Sequence, residues 1–245
     1  VSVLLGLPVL SRSDPAEGRG LLCLLFLRDR CLSACAGHWA LRRMKPSQRI
    51  NLALSRVPAW PLYIVGGLVP FWYLYLGLTG GLGVEPIEAL EHRLGELALQ
   101  GLIAGLAVTP LRNMTGVNLV KFRRAIGLVT FYFVTCHLLV WLVLDVQILS
   151  QIWADILKRP YITIGMIGFV LLIPLAVTSN NWSIRKLGPL KWRRLHQLGY
   201  AAAILGAVHW VMLAKGFQIE PLVYLGIVVL LLAMRVPKAV KRAVA

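Results

Sequence analysis

Six apolar stretches, at about 60–79, 93–111, 125–144, 161–179, 195–213 and 219–235, constrain this 245-residue chain more than any other feature. Each approaches the roughly 20 residues an α-helix needs to cross the hydrocarbon core of a bilayer. In lipid, backbone polar groups must be satisfied internally, so stretches of this kind are read as helices. The expected fold is all-α: a polytopic integral membrane protein with six transmembrane helices in one bundle. Composition agrees, with 58% hydrophobic and 15% charged residues, against roughly 45–50% apolar and 25% charged in soluble domains. These figures argue against a soluble enzyme and against a disordered chain. A net charge of +16 would suit a nucleic-acid binder, but eight tryptophans and bilayer-length apolar runs do not. No nucleic-acid partner is expected; the environment is membrane lipid.

The positive charge then sets orientation. With the first helix starting inside, one side carries Lys45, Arg49, Arg56, Arg112, Lys121, Arg123, Arg124, Arg185, Lys186, Lys191, Arg193, Arg194, Arg235, Lys238, Lys241 and Arg242. The other carries only Arg93, Lys158, Arg159 and Lys215, together with all seven acids after Met44: Glu85, Glu88, Glu91, Glu96, Asp145, Asp155 and Glu220. Both termini are expected to be cytoplasmic, in a multi-pass protein. The outer loop 146–160 reads either as a short interfacial helix or as a plain connector. Residues 1–43 hold two apolar runs too short to span and the spacing Cys31-x3-Cys35-x2-His38, half of a metal motif without a second half. They are expected to be an N-terminal extension preceding a start at Met44, outside a core domain of residues 44–245.

Four histidines fall in or beside the apolar segments: His92, His137, His196 and His209. Polar groups inside a membrane are expensive and usually functional. At 1.5 Å per residue, His137 lies about 20 Å above Arg124 and His209 about 22 Å above Arg194. The two are thus level, on neighbouring helices, in the outer half. Two imidazoles so placed match the axial requirement of a six-coordinate b-type heme iron, held as bundle cofactors generally are, by facing helices. His196 lies near the inner surface, roughly 20 Å from His209 along the same segment. It suits a second heme with an unusual partner or five-coordination, or else a flavin or quinone; one or two hemes b are therefore open. Thirteen residues is not a same-face repeat, so the two rings are rotated apart or the helix is distorted there. His92 starts the second segment about 10 Å beyond His137 and reads as an outer-interface loop residue. The bases Arg123, Arg124, Lys191, Arg193 and Arg194 gather at the inner end, where they pair with propionate or phosphate groups or simply mark topology. Gly127, Gly199 and Gly206 lie on the histidine helices and permit a flat macrocycle to approach.

From Met44 onward the sequence resembles the MsrQ family, the heme-binding membrane subunits of the bacterial periplasmic methionine sulfoxide reductase system, within the ferric-reductase-like transmembrane superfamily. The motifs are Thr109-Pro110-Leu111, Arg123-Arg124-Ala125-Ile126-Gly127-Leu128, His137-Leu138, Lys158-Arg159-Pro160-Tyr161-Ile162, Thr178-Ser179 and Lys186-Leu187-Gly188. The most specific is Trp192-x2-Leu195-His196-x3-Tyr200, followed by His209. The resemblance implies a bacterial inner-membrane protein with b-type heme on His137, His196 and His209, and FMN as a further cofactor. It implies partners on both sides: the quinone pool or a cytosolic flavin reductase as donor, and a periplasmic molybdopterin-containing methionine sulfoxide reductase as acceptor, in protein repair. The wider superfamily has a second histidine in helix three, where this chain has Arg124.

The leading expectation is an electron-transfer subunit rather than a catalytic one: no G-x-G-x-x-G motif is present and only ten residues follow the last apolar segment. The alternatives are a self-contained quinol-dependent ferric or metal reductase, and a transporter or scaffold without redox chemistry.

Overall fold

The computed structural model describes residues 45–214 and 218–235. Cys31, Cys35, His38, the expected boundary at Met44, and Lys215, Lys238, Lys241 and Arg242 lie outside the described residues. The chain divides into two units, residues 1–50 and 51–245. In the first, the Lys45 backbone N–H donates to Gln48 Oε1 at 3.0 Å, at the opening of α1 (Pro46–Arg56).

The described residues of the second unit form helices joined by turns, with no strand among them. The unit contains α2 (Trp60–Leu78), α3 (Pro86–Thr115), a 3-10 turn (Val120–Phe122), α4 (Arg123–Val140), a π-helical turn (Trp141–Val146) and α5 (Leu149–Lys158). Then follow α6 (Pro160–Val177), the short α7 (Asn181–Leu187) and α8 (Pro189–Leu195), α9 (Leu198–Leu213) and α10 (Ile219–Ala233). Among the described residues four spans are long and apolar enough to cross a bilayer: α2, α3, residues 120–146 around α4, and α6. The last two segments form shorter helices, of 16 residues in α9 and 15 in α10, below the roughly 20 of a full crossing. Large apolar side chains point outward, as on α2, where Leu68, Phe71, Trp72, Tyr75 and Leu78 are exposed. A soluble protein rarely leaves such a face open; lipid covers it at no cost.

The interior is organised around α3. Leu99 and Leu106 pack with Ala203 and Ala207 of α9 and Val228 of α10; Leu90 and Leu94 pack with Val140 of α4. Small residues at 202, 203 and 207, all buried, let α9 sit close to its neighbours. The polar side chains inside α3 are satisfied: Gln100 Nε2 donates to Glu96 Oε1 and to the Tyr224 hydroxyl, both at 2.9 Å, and Arg93 pairs with Glu96 at 3.1 Å.

Three outcomes matter for the site: two departures from the sequence expectation and, for the outer loop, the helical one of its two readings. First, α3 starts at Pro86 rather than near 93 and runs 30 residues, about 45 Å, because proline suits the first helical turn. His92 is therefore inside a helix, not in a loop. Second, the fifth segment is not one helix: it breaks at His196 and Gln197, between α8 and α9. Third, residues 149–158 are helical, and Leu149, Trp153 and Leu157 form an exposed apolar row one turn apart.

Candidate functional site

His137 on α4 and His209 on α9 come together within the bundle, ring centres 6.3 Å apart and planes at 79°. Two imidazoles on opposite sides of one metal, each at roughly 2.0–2.1 Å, have centres about 6 Å apart. The separation leaves room for one metal ion between the rings.

The same backbone device orients both rings. His137 Nδ1 donates to the Glu91 carbonyl at 2.9 Å, and His209 Nδ1 donates to the Tyr161 carbonyl at 2.7 Å. A carbonyl only accepts, so the proton is on Nδ1 and the Nε2 lone pair is left available. Metal-ligating histidines are typically held this way. In each case the residue one turn after the accepting carbonyl is glycine: Gly95 after Glu91 and Gly165 after Tyr161. A β-carbon at Gly95 would stand 3.2 Å from His137 Nδ1 and Cε1, and one at Gly165 2.9 Å from His209 Nδ1. The missing side chains open both carbonyls to the rings. Neither glycine was among those singled out from sequence, although helix periodicity places each one turn from its carbonyl.

A cavity of about 50 Å³ lies beside the pair, lined by Glu91, His92, Gly95, Glu96, Leu99, His137, Gly206, His209, Trp210 and Leu213. It accommodates an ion, and a macrocycle would need the space around the pair to widen. His92 joins this cavity, contrary to the separation expected from depth alone. It lacks the anchoring of the other two: its side chain is 49% exposed and Nε2 is 3.9 Å from Glu88 Oε1. Among the described residues no group of three or more His, Cys, Asp or Glu can hold a metal ion. Two imidazoles from different helices, ring centres 6.3 Å apart, suit a metal whose remaining positions are filled by another ligand.

The larger space is at the basic end, a cavity of about 920 Å³. His196 borders it, with Nδ1 on the Trp192 carbonyl at 3.0 Å and its ring stacked on the Trp192 indole at 3.8 Å. Ser179 Oγ lies 3.5 Å from Nε2 and donates to the Leu175 carbonyl at 2.6 Å. Arg123, Arg124 and Arg193 line the cavity; Arg194 is exposed and does not. Arg124 donates to Asn181 Oδ1 at 2.7 Å. Gly127 and Gly199 also border this space, and Gly206 borders the smaller one. Arg235, read from sequence only as a topology charge, lines the large cavity as well.

Residues 94–207 match the family model of the ferric reductase like transmembrane component. The chain is 51% identical over 177 residues to the protein-methionine-sulfoxide reductase heme-binding subunit MsrQ of Agrobacterium fabrum, spanning 72% of this chain and 82% of that protein. The protein of the same name from Brucella anthropi is 50% identical over 177 residues, 72% and 80% of the two chains. That of Brucella ovis is 49% identical over 180 residues, 73% and 81%. No solved structure matches the chain.

Proposed function

The chain belongs to the MsrQ family of heme-binding subunits, and from that premise we propose that it is the membrane electron-transfer subunit of a methionine sulfoxide reductase system. In this reading it crosses the bacterial inner membrane six times with both termini cytoplasmic, α9 and α10 being the two short crossings. His137 and His209 hold one b-type heme toward the acidic end of the bundle. His196 serves a second planar cofactor, heme or FMN, in the basic cavity, with Arg124 and Arg193 beside it. Electrons come from the quinone pool or a cytosolic flavin reductase and go to a periplasmic molybdopterin-containing reductase.

The observation that carries this is the His137–His209 pair: 6.3 Å apart, both rings with Nδ1 committed to backbone carbonyls. A heme held there supplies reversible one-electron transfer. The chain's own contribution is to fix both rings by hydrogen bonds that need no reorganisation and to hold a proton on each Nδ1, turning Nε2 to the metal. The large basic cavity supports the second site, since an anionic group is stabilised by arginines there.

The test is the absorption and low-temperature EPR spectrum of the purified full chain: a Soret band with a low-spin signal is expected, and a colourless protein rejects the reading. The match to ferric reductase components favours one rival, a self-contained ferric or metal reductase. Rapid turnover of ferric chelate by the purified protein with quinol alone would select that rival.

A further inference from the structure

Pro110, inside α3, has no N–H to offer the Leu106 carbonyl one turn earlier. Arg235 fills that gap from beyond the end of α10. Its Nη2 donates to the Leu106 carbonyl and, at 3.4 Å, to that of Gly105, while Nη1 donates to the Tyr200 hydroxyl at 2.9 Å. The guanidinium carbon also lies 5.2 Å from the centre of the Tyr200 ring. This places a full positive charge, half-buried, in the wall of the basic cavity.

Nothing described neutralises it. The cavity is lined by Lys121, Arg123, Arg124, Arg193 and Arg235 and by no carboxylate. Among the described residues Arg235 has no ion pair, and its buried Nε has no hydrogen-bond partner. All of its acceptors are neutral. A partly buried charge without a counter-charge is costly. An arginine whose hydrogen-bond acceptors are all neutral, in the wall of a cavity without a carboxylate, leaves its charge to be met by an anionic group.

The geometry points to Arg235 as the buried anion contact of this cavity, binding a carboxylate or phosphate oxygen of the cofactor seated there. The inference rests on the proposed reading of the cavity as a cofactor site. Its ligand chemistry has two sources, a heme propionate or a flavin phosphate. Arg235 is half-buried and fixed through the Leu106 carbonyl and Tyr200, whereas Lys121, Arg123, Arg124 and Arg193 of the same cavity are exposed.

The experiment compares the full chain, purified from membranes, as wild type, Arg235→Gln and Pro110→Ala/Arg235→Gln. Heme per polypeptide and released flavin are quantified, and the low-spin signal of the His137–His209 site reports on folding. The double variant restores an N–H opposite the Leu106 carbonyl, so loss of that structural contact no longer matters. The expected result is that both variants keep the low-spin signal while retention of the cavity cofactor weakens at least about tenfold, as for a lost charge-assisted hydrogen bond. Loss of the second heme assigns the propionate; loss of flavin assigns the phosphate. Full retention in both variants, or loss in Arg235→Gln that Pro110→Ala repairs, overturns the inference while leaving the cavity reading intact. A wild type with a single heme and no flavin overturns both.

Discussion

The carbonyl of Tyr161 accepts a 2.7 Å hydrogen bond from the His209 ring across the space that a side chain at Gly165 would fill. A β-carbon there would stand 2.9 Å from Nδ1, and a ring clamped on one edge has little room to yield. Gly165→Ala is therefore expected to tilt His209 and to shift or diminish the low-spin heme signal. Gly95→Ala should act in the same way on His137, more weakly, since its contact is 3.2 Å. Gly127→Ala is the comparison: nothing lies within 4 Å of its would-be β-carbon, and the His137–His209 spectrum should not change.

Direct removal of either ring is the harsher version. His137→Ala and His209→Ala are each expected to abolish the low-spin signal assigned to the pair, whereas His196→Ala should spare it. Retention of full heme content and an unchanged low-spin spectrum in both of the first two would show the pair wrongly assigned.

The path prediction concerns His196. If electrons enter at the basic cavity, a His196→Ala protein should be reduced more slowly by a cytosolic flavin reductase in stopped-flow. Reduction by quinol, measured separately, shows whether that donor uses the same entry. Wild-type rates with both donors would place His196 off the path.

Packing offers a stability test distant from either histidine ring. A β-carbon at Gly101 would overlap Thr130 Oγ1, which is itself tied to the Ile126 carbonyl at 2.8 Å. Gly101→Ala should destabilise the α3–α4 contact by about 1–3 kcal/mol, the usual range for overpacking. Adding Thr130→Ala should recover most of the loss in thermal unfolding in detergent; no recovery would mean the strain lies elsewhere.

Orientation is tested by a reporter fused after Ala245. The excess of basic residues on one side predicts a cytoplasmic C-terminus, so a reporter active only in the periplasm would refute the topology.

Much of this protein was legible before any coordinates, for physical reasons. Bilayer thickness and rise per residue turn apolar length into helices, and the same arithmetic sets His137 and His209 at one level. What linear spacing does not carry is rotation, tilt and where a helix stops. That is why His92, some 10 Å too high by depth along a straight axis, lines the same small cavity as the pair. It is also why the 13-residue mismatch between His196 and His209 has a local answer: the helix breaks at His196 and Gln197, so one helical phase does not govern both rings. Gly95 and Gly165 were visible as letters, but only the approach of α4 to α3 and of α9 to α6 gives each its imidazole. Pro110 announces that the Leu106 carbonyl needs a donor; that the donor is Arg235, about 130 residues away in the chain, is decided by tertiary packing alone, because hydrogen-bond partners are chosen by proximity in space and not along the chain.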